Sequence, residues 1–306
     1  MNLAAIHGGG AADRWHVPVM VEEVCGLIAA SGPLALADVT AGTGGHCAAL
    51  LRATSARIIA MDRDAAALDA ARERLAEFGD RVTFVQQNFG EIAAVLEAAG
   101  WDGADAILAD LGMSGFALDD PARGFSFRHD GPLDMRMDQS QRLSARDLLN
   151  EESEEELARI IYRYGEERGS RRIARMIVEE RRRRPLETTG DLRTIVERAL
   201  GAHRRGGVHP ATRTFQAIRI AVNREMENLA ALLADGPAAL RPGGRMAVIA
   251  YHSLEDRPVK ERFRELAHDG DFTAVARKAI KPSAAEIACN PRARSARLRC
   301  IERSGQ

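Results

Sequence analysis

Asp38-Val39-Thr40-Ala41-Gly42-Thr43-Gly44-Gly45-His46 decides the fold, because in this stretch a short apolar strand leads through a glycine-rich turn into a helix. At such a junction the backbone N–H groups of the helix N-terminus face a polar ligand, and small residues let the ligand approach. Asp62 follows a second apolar run, 20 positions after Gly42. A carboxylate at that distance is placed to accept hydrogen bonds from both hydroxyls of a ribose. The stretch therefore predicts a site for a nucleoside-bearing cofactor.

Two alternatives stay open at this turn. A nicotinamide-dependent oxidoreductase has the same layout, and its GxGxxG pattern is nearly met by Gly42, Gly44 and Cys47. Cys47 stands where the third glycine belongs, which speaks against that cofactor. In the second alternative the glycines only make a tight turn and Asp62 caps a helix. The strand-turn-helix context favours ligand binding.

The first third of the chain predicts a parallel sheet. Short apolar runs alternate there with Ala-, Leu- and Glu-rich segments of helical period, the pattern of successive βαβ units. We predict strands at Ala35–Val39, Arg57–Met61, Val82–Gln86 and Ala104–Ala109. More strands are predicted near the C-terminus, at Arg245–Tyr251, Phe272–Ala276 and Arg297–Glu302.

A helical segment separates the two groups of strands. No buried-strand run occurs between Gly115 and Pro210. The predicted elements before the sheet resumes are helices at Glu151–Tyr164, Ser170–Arg184 and Arg213–Leu233 and a turn at Pro242-Gly243-Gly244. We therefore predict an α/β fold, a Rossmann-like sheet with an inserted, mainly helical second domain. The sheet domain comprises residues 1–114 and 213–306, and the helical insertion comprises residues 115–212.

Composition limits the function classes. The 306 residues are 45% hydrophobic and 28% charged with a formal net charge of -1, so any surface for nucleic acid has to be local. The four cysteines have the spacing of neither a zinc site nor a disulfide framework: Cys25, Cys47, Cys289 and Cys300. The chain has no apolar run of about 18 residues and no signal-peptide pattern. We expect a cytoplasmic protein with reduced thiols and with neither a metal nor a membrane partner.

Two residues that follow predicted strands are candidates for chemistry. In an open α/β sheet the ligand lies beyond the carboxyl ends of the strands, and Asp110 ends the fourth one. A helix cap or a turn residue is the alternative role for Asp110. His252 follows the strand that ends at Tyr251 and is a weaker candidate for orienting a substrate or a departing proton. A structural histidine is the alternative.

Several longer strings carry a more specific signal because they are too long to recur by chance. They are His16-Val17-Pro18-Val19-Met20, Gly44-Gly45-His46, Arg123–Arg128, Gly131–Asp138, Tyr164–Glu167, His209–Gln216, His252–Arg257 and Asn290–Ser295. On these strings nearly the whole chain resembles the RsmH (MraW) family of methyltransferases. The resemblance implies a class I methyltransferase sheet and S-adenosyl-L-methionine as cofactor. It also implies methylation of the exocyclic N4 amine of one cytidine in the decoding region of 16S ribosomal RNA.

The resemblance further implies which residues hold the cofactor, namely Gly44, Gly45, His46, Asp62, Phe89 and Asp110. Phe89 would offer an apolar face near the adenine, whereas a lone Phe at a strand end would otherwise be a core aromatic. The sequence departs from the family after Gly112, where a Ser-Ser pair and then a Gln are usual. Here Ser114-Gly115-Phe116-Ala117 stands instead. Ala117 lacks the amide, and one neutral hydrogen bond contributes about 0.5 to 1.5 kcal/mol.

The implied reaction defines what Asp110 would have to do. The exocyclic amine of cytosine is a poor nucleophile because its lone pair is delocalised into the ring. A carboxylate and nearby backbone carbonyls that accept its N–H bonds favour a pyramidal, more reactive nitrogen. The methyl donor is a cationic sulfonium, so transfer needs chiefly in-line positioning and no metal.

The insertion carries local clusters of arginine, at Arg171, Arg172, Arg175, Arg181–Arg184, Arg204, Arg205 and Arg213. Such clusters could follow an RNA backbone, and the insertion is expected to recognise the RNA substrate. Glu151–Glu156, Glu179 and Glu180 alternate with them. A solvated helix with i,i+4 ion pairs is therefore the alternative.

Three further points stay open in the sequence. The loop Phe125–Asp138, with Asp134 and Arg136, is either a lid over the base or a salt-bridged connector between domains. Ala117 and the basic insertion also fit a non-catalytic RNA-binding or assembly factor. The substrate is free RNA or an assembled subunit, and a homodimer is compatible with the sequence.

Overall fold

The computed structural model describes residues 17–113, 115–201 and 209–305. The chain divides into a sheet unit, Met1–Ser114 with Met226–Gln306, and a helical unit, Gly115–Glu225. The predicted return to the sheet domain at residue 213 is wrong. The helix from Ala211 to Asn223 packs inside the helical unit, where Gln216 Nε2 donates to the carbonyl of Tyr164 at 3.4 Å. Ser114, Arg204 and Arg205 of the predicted segments lie outside the described residues.

The sheet unit contains a seven-stranded sheet in the order β3-β2-β1-β4-β5-β7-β6. The strands are β1 (Ala35–Asp38), β2 (Arg57–Asp62), β3 (Val82–Gln86), β4 (Ala104–Asp110), β5 (Leu240–Ala250), β6 (Phe272–Ala274) and β7 (Arg297–Arg303). All neighbours are parallel except β7, which runs antiparallel to β5 and β6. This arrangement confirms the predicted Rossmann-like α/β fold class, with a mainly helical second unit.

Thirteen α-helices are present in the described part of the chain. In order they are α1 (Val21–Ala29), α2 (Gly45–Ala53), α3 (Ala65–Leu75), α4 (Ile92–Ala98), α5 (Gly115–Asp119), α6 (Ala145–Glu151), α7 (Glu154–Gly165), α8 (Ser170–Arg181), α9 (Thr189–Leu200), α10 (Ala211–Asn223), α11 (Glu225–Ala238), α12 (Ser253–Asp269) and α13 (Ala284–Cys289). None of these described helices combines the length and the apolar character that a membrane crossing requires.

Apolar side chains cover both faces of the sheet. Successive residues of a strand point to opposite faces, so Leu36 and Ile58 join one buried cluster while Ala37 and Ile59 join the other. Burial on both faces explains why these strands are continuous apolar runs in the sequence. The core therefore fixes the carboxyl ends of the strands, from which the candidate site is built.

Two predicted elements differ from the structure. The predicted helix Arg213–Leu233 is two helices, because Arg224 adopts a left-handed conformation with φ of 51° and ends α10. The predicted turn at Pro242-Gly243-Gly244 lies inside β5, as an irregularity opposite β4 between the pairs Ala104–Leu240 and Ala106–Arg245. Gly243 has φ of 78°, which suits a bulge and does not end the strand.

The loop Phe125–Asp138 is tied into the helical unit. The buried Arg123 guanidinium donates to the carbonyls of Arg136 and Met137 at 3.0 and 2.9 Å. Arg136 also forms an ion pair with Asp134 at 2.7 Å. The charged residues of this loop therefore stabilise the loop itself, and its action as a lid stays a prediction.

Candidate functional site

Three adjacent strands of the sheet each end in an aspartate. Asp38 ends β1, Asp62 ends β2 and Asp110 ends β4. Parallel strands bring their carboxyl ends to one edge of the sheet, so the three aspartates lie at the same edge. Asp62 and Asp110 were predicted site residues, whereas the sequence analysis passed over Asp38.

Asp62 holds the glycine-rich turn against the second strand. Its Oδ2 accepts the N–H of Gly42 at 2.8 Å, and its Oδ1 accepts the N–H of Asp64 at 2.9 Å. The helix cap that was the alternative role for Asp62 is formed by Asp64, whose side chain accepts the N–H of Ala66 at 3.1 Å. Each Asp62 oxygen retains a further acceptor position, so the carboxylate fits the two hydroxyls of a ribose.

The glycines of the turn are required by the packing around them. Gly44 has φ of 78°, and a Cβ there would lie 3.0 Å from the Leu75 side chain. A Cβ on Gly45 would lie 2.9 Å from the Pro18 ring. The turn can therefore approach these neighbours closely only because both residues lack a side chain.

His46 is a buried histidine whose two ring nitrogens have no hydrogen-bond partner among the described residues. Its Nε2 lies 3.5 Å from Oδ2 of Asp110. Burial, with a smaller contribution from the nearby Arg74, lowers the pKa of His46 to about 4. The ring is therefore neutral at pH 7 and the contact with Asp110 is not an ion pair at that pH. Buried polar atoms usually have partners, so the free nitrogens point to a ligand.

Asp110 is held by two hydrogen bonds, and its side chain remains partly exposed. Its N–H donates to Oγ1 of Thr40 at 2.6 Å, and its Oδ1 accepts the hydroxyl of Tyr251 at 2.7 Å. The side chain is 23% exposed. Burial raises the pKa of Asp110 to about 7; Tyr251 opposes this rise, while Asp38 and Glu255 add to it. The carboxyl group can therefore both accept and release a proton near neutral pH.

Tyr251 is the contact that the sequence analysis missed. In the β4–β5 register Asp110 pairs with Ile249, so Tyr251 follows two residues beyond that pair. Gly112, with φ of 100°, leaves room for the phenol ring, which would lie 3.3 Å from a Cβ at that position. The signal available in the sequence was only that Tyr251 ends a strand-like run.

Asp38 is buried, and its carboxylate is hydrogen-bonded within the sheet unit. It is 1% exposed, and its carboxylate accepts the N–H of Thr40 at 3.2 Å and the thiol of Cys47 at 3.1 Å. Burial raises the pKa of Asp38 to about 6. The bond to Asp38 gives Cys47 a role that a third glycine could not perform. All four cysteines of the chain are free.

The other predicted site residues lie in different surroundings. His252 precedes α12, and its Nε2 lies 3.1 Å from Oε1 of the buried Glu255, although neither ring nitrogen has a hydrogen-bond partner among the described residues. Phe89 is half-buried against one of the two core clusters, as expected for a core aromatic. Ala117 is buried in the helical unit. The roles of His252 and Phe89 in chemistry or cofactor binding stay predictions.

Metal-binding groups of three or more His, Cys, Asp or Glu side chains are not found in the part of the chain that the structure describes.

The burial of Asp62 raises its pKa to about 6, although the two backbone N–H donors oppose the rise. The three carboxylates at the ends of β1, β2 and β4 give this edge of the sheet a negative potential above pH 7. A cationic ligand is therefore favoured there over an anionic one.

Comparison with known proteins places the chain among methylases. The profile of the MraW methylase family matches residues 13–304. Ribosomal RNA small subunit methyltransferase H of Sorangium cellulosum is 50% identical over 290 residues, which are 95% of this chain and 91% of that protein. The protein of the same name from Symbiobacterium thermophilum is 48% identical and covers 94% of this chain and 96% of its own length.

Solved structures show a more distant likeness. The crystal structure of an rRNA methylase from Streptococcus thermophilus is 12% identical, with a TM-score of 0.41, and covers 95% of this chain and 99% of its own. A likeness at that level does not extend to function.

Proposed function

The chain belongs to the MraW methylase family, and on that premise we propose that it methylates the N4 amine of a cytidine in the decoding region of 16S ribosomal RNA. Its cofactor is S-adenosyl-L-methionine, and the substrate implies action in the cytoplasm. The observation that carries the proposal is the Asp110 carboxyl group, which is reachable and has a pKa of about 7 at the edge of the sheet.

The glycine-rich turn and Asp62 would hold the cofactor. Asp62 would accept the ribose hydroxyls with the acceptor positions that Gly42 and Asp64 leave free. The Gly44-Gly45 backbone and the unpartnered nitrogens of His46 would meet the polar part of the ligand. Bound there, the cofactor supplies a methyl group on a cationic sulfur, whose charge suits the carboxylates of the crevice.

Asp110 would act on the attacking amine. Its Oδ1 is occupied by the Tyr251 hydroxyl, so Oδ2 is the oxygen available to accept an N–H bond of the cytosine. Acceptance of that bond makes the nitrogen lone pair more nucleophilic. After methyl transfer the nitrogen is positively charged, and Asp110 would accept its proton. With a pKa near 7 the carboxyl group then releases the proton to solvent without a large barrier.

The helical unit would recognise the RNA. It contains 22 arginines and 19 acidic residues, a net charge of +3, although the whole chain has a net charge of -1. A positive unit favours contact with a polyanion.

The family assignment speaks against the alternative of a nicotinamide-dependent oxidoreductase.

The proposal is tested by incubating the purified protein with radiolabelled S-adenosyl-L-methionine and small ribosomal subunits that lack the modification. Nuclease digestion and mass spectrometry should find one N4-methylated cytidine in the decoding region. Free 16S RNA as a parallel substrate shows whether the assembled subunit is needed. RNA binding without any methyl transfer would support the alternative of a non-catalytic assembly factor.

A further inference from the structure

Two sets of arginines in the helical unit differ in whether they have an acidic partner. In the first set each guanidinium forms an ion pair with an acidic side chain. These ion pairs join Arg159 to Glu156, Arg183 and Arg198 to Glu180, and Arg184 to Asp191. Acidic neighbours therefore offset most of the positive charge of these arginines.

The second set has no acidic partner among the described residues. Arg168, Arg171 and Arg172 are exposed, and none of the three forms a hydrogen bond, an ion pair or a ring contact within the described part of the chain. Arg171 and Arg172 lie in the first turn of α8, and Arg168 precedes that helix. Their charges are therefore adjacent and uncompensated.

Two more arginines lie at the same place. α7 ends at Gly165, and a Cβ there would lie 2.6 Å from the carbonyl oxygen of Arg213 in the first turn of α10. The Arg213 guanidinium donates to the carbonyl of Glu166 at 3.2 Å. Arg163 lies in the last turn of α7 and is also exposed. We call this set, Arg163, Arg168, Arg171, Arg172 and Arg213, the arginine corner.

Neither Glu166 nor Glu167 forms an ion pair with the arginine corner in the part of the chain that the structure describes. Glu166 is exposed, but only its backbone carbonyl bonds to Arg213. Glu167 is buried, and its Oε1 accepts the N–H of Gly169 at 2.8 Å. Five exposed like charges in one corner repel one another, and a bound polyanion relieves that repulsion.

We propose that the arginine corner binds the phosphodiester backbone of the RNA substrate. The choice of RNA as the ligand rests on the proposed function. The argument from the uncompensated charges does not depend on that function. One guanidinium group can donate two parallel hydrogen bonds to the oxygens of one phosphate. Five such groups can therefore bind several consecutive phosphates of the backbone. Each contact releases condensed counterions, which makes the binding steeply dependent on salt. The corner sets affinity and register and leaves the choice of base to other residues.

The test compares two triple variants of the full chain. The first combines Arg168→Gln, Arg171→Gln and Arg172→Gln at the corner. The matched control combines Arg159→Gln, Arg183→Gln and Arg198→Gln, which removes the same charge from arginines that have acidic partners. The probe is a fluorescein-labelled fragment of 16S RNA that contains the decoding region, and anisotropy gives Kd at 50 to 200 mM KCl. Thermal unfolding checks that both variants are folded.

For the corner variant we expect Kd at 150 mM KCl to rise at least tenfold and the slope of log Kd against log salt to fall by about 2 to 3, since each lost phosphate contact contributes about 0.7 to 0.9. The control should stay within about threefold of the unchanged protein. Equal losses in both variants, an unchanged slope in the corner variant, or an unchanged protein that does not bind the RNA would each overturn the proposal. RNA binding at the corner without methyl transfer would leave it standing and remove the proposed function instead.

Discussion

The two oxygens of Asp110 have different surroundings. Oδ1 accepts the Tyr251 hydroxyl at 2.7 Å, and Oδ2 lies 3.5 Å from a histidine that is neutral at pH 7. Burial and the neighbouring carboxylates oppose ionisation, and the pKa of Asp110 rises to about 7. The folded protein therefore gives up stability at this residue in exchange for a group that can take up a proton near neutral pH.

Asp110→Asn should separate the two effects. We expect kcat to fall by about 10²- to 10⁴-fold, because the amide cannot accept the amine proton. The variant should also be more stable than the unchanged protein at pH 8, by on the order of 2 kcal/mol. Urea unfolding at several pH values and single-turnover kinetics measure the two quantities.

The sign of the stability change follows from the raised pKa. The pKa of Asp110 is about 7 in the folded protein, whereas the ordinary value of an aspartate is 3.8. The contribution of this carboxyl group to the free energy of unfolding is therefore complete below pH 4 and is lost as the pH rises through 7. The advantage of the variant should therefore shrink as the pH falls from 8 towards 4. An advantage that is the same at every pH would contradict the role assigned to ionisation.

Tyr251→Phe should move the pH profile of the reaction. The Tyr251 hydroxyl lowers the pKa of Asp110, whereas Asp38 and Glu255 raise it. Loss of the hydroxyl leaves the opposing groups and raises the pKa of Asp110 further. The acidic limb of kcat should then shift above pH 7, with rates near pH 9 almost unchanged because the ring still packs over Gly112. The exposed Tyr162 supplies the control Tyr162→Phe, and a limb that moves equally in both variants would refute the assignment.

Sequence order sufficed to select Asp62 and Asp110 because each residue ends its own strand and the strand ends share an edge. It could not pair Asp110 with Tyr251, which is 141 positions away and reaches Asp110 only through the β4–β5 register. It also could not show that His46 is buried without a hydrogen-bond partner among the described residues. Burial and pKa depend on tertiary neighbours, and no local pattern in the chain encodes them.

Helix boundaries follow local chemistry where a polar cap is present. Ser153 accepts the N–H of Glu156 and begins α7 at Glu154, three residues after the predicted start at Glu151. α10 and α11 are different, because no glycine or proline separates them. Their apolar spacing is continuous, so the sequence predicted one helix where Arg224 makes a left-handed break. A left-handed arginine is rare, and a local pattern cannot anticipate it.

Arg224→Gly should stabilise the protein. The left-handed conformation costs a residue with a side chain about 1 to 2 kcal/mol, and glycine adopts it freely. Within the described part of the chain the exposed Arg224 side chain forms neither a hydrogen bond nor an ion pair, and only its backbone N–H bonds to α10, so little is lost with the side chain. After the larger chain entropy of unfolded glycine is subtracted, a gain of about 0.5 to 1 kcal/mol is expected. Urea unfolding measures it.

Arg224→Ala is the matched control for this prediction. Alanine removes the same side chain and retains the backbone cost, so its stability should stay within about 0.5 kcal/mol of the unchanged protein. A stabilisation of equal size in both variants would mean that the side chain, not the backbone, was unfavourable. A loss of stability in the glycine variant would show that the break is not strained.

Charge is divided between the two units of the molecule. The helical unit has a net charge of +3, which leaves -4 for the sheet unit out of the total of -1. The near-zero net charge of the whole chain conceals this division. Only local clusters of arginine were evident in the sequence, because the boundary of the helical unit at Glu225 was not predicted. A cationic methyl donor and a polyanionic RNA would each meet the unit of opposite sign.

Salt should therefore separate the two binding events. Five phosphate contacts at the arginine corner imply a slope of log affinity against log salt of roughly -4, so raising KCl from 50 to 200 mM should weaken RNA binding by about 10²-fold or more. The cofactor carries few charges and binds beside half-buried carboxylates, where ions screen less, so its Kd should change by less than about threefold. Calorimetry for the cofactor and anisotropy for the RNA give both values on the same protein.

If the two affinities fell in parallel, screening or salt-dependent unfolding of the whole molecule would explain the result, and the division of charge would have no bearing on recognition. A steep loss of RNA affinity alone would mean that the two ligands bind through opposite electrostatic surfaces, so that a methyl donor bound at low salt stays bound while the RNA exchanges.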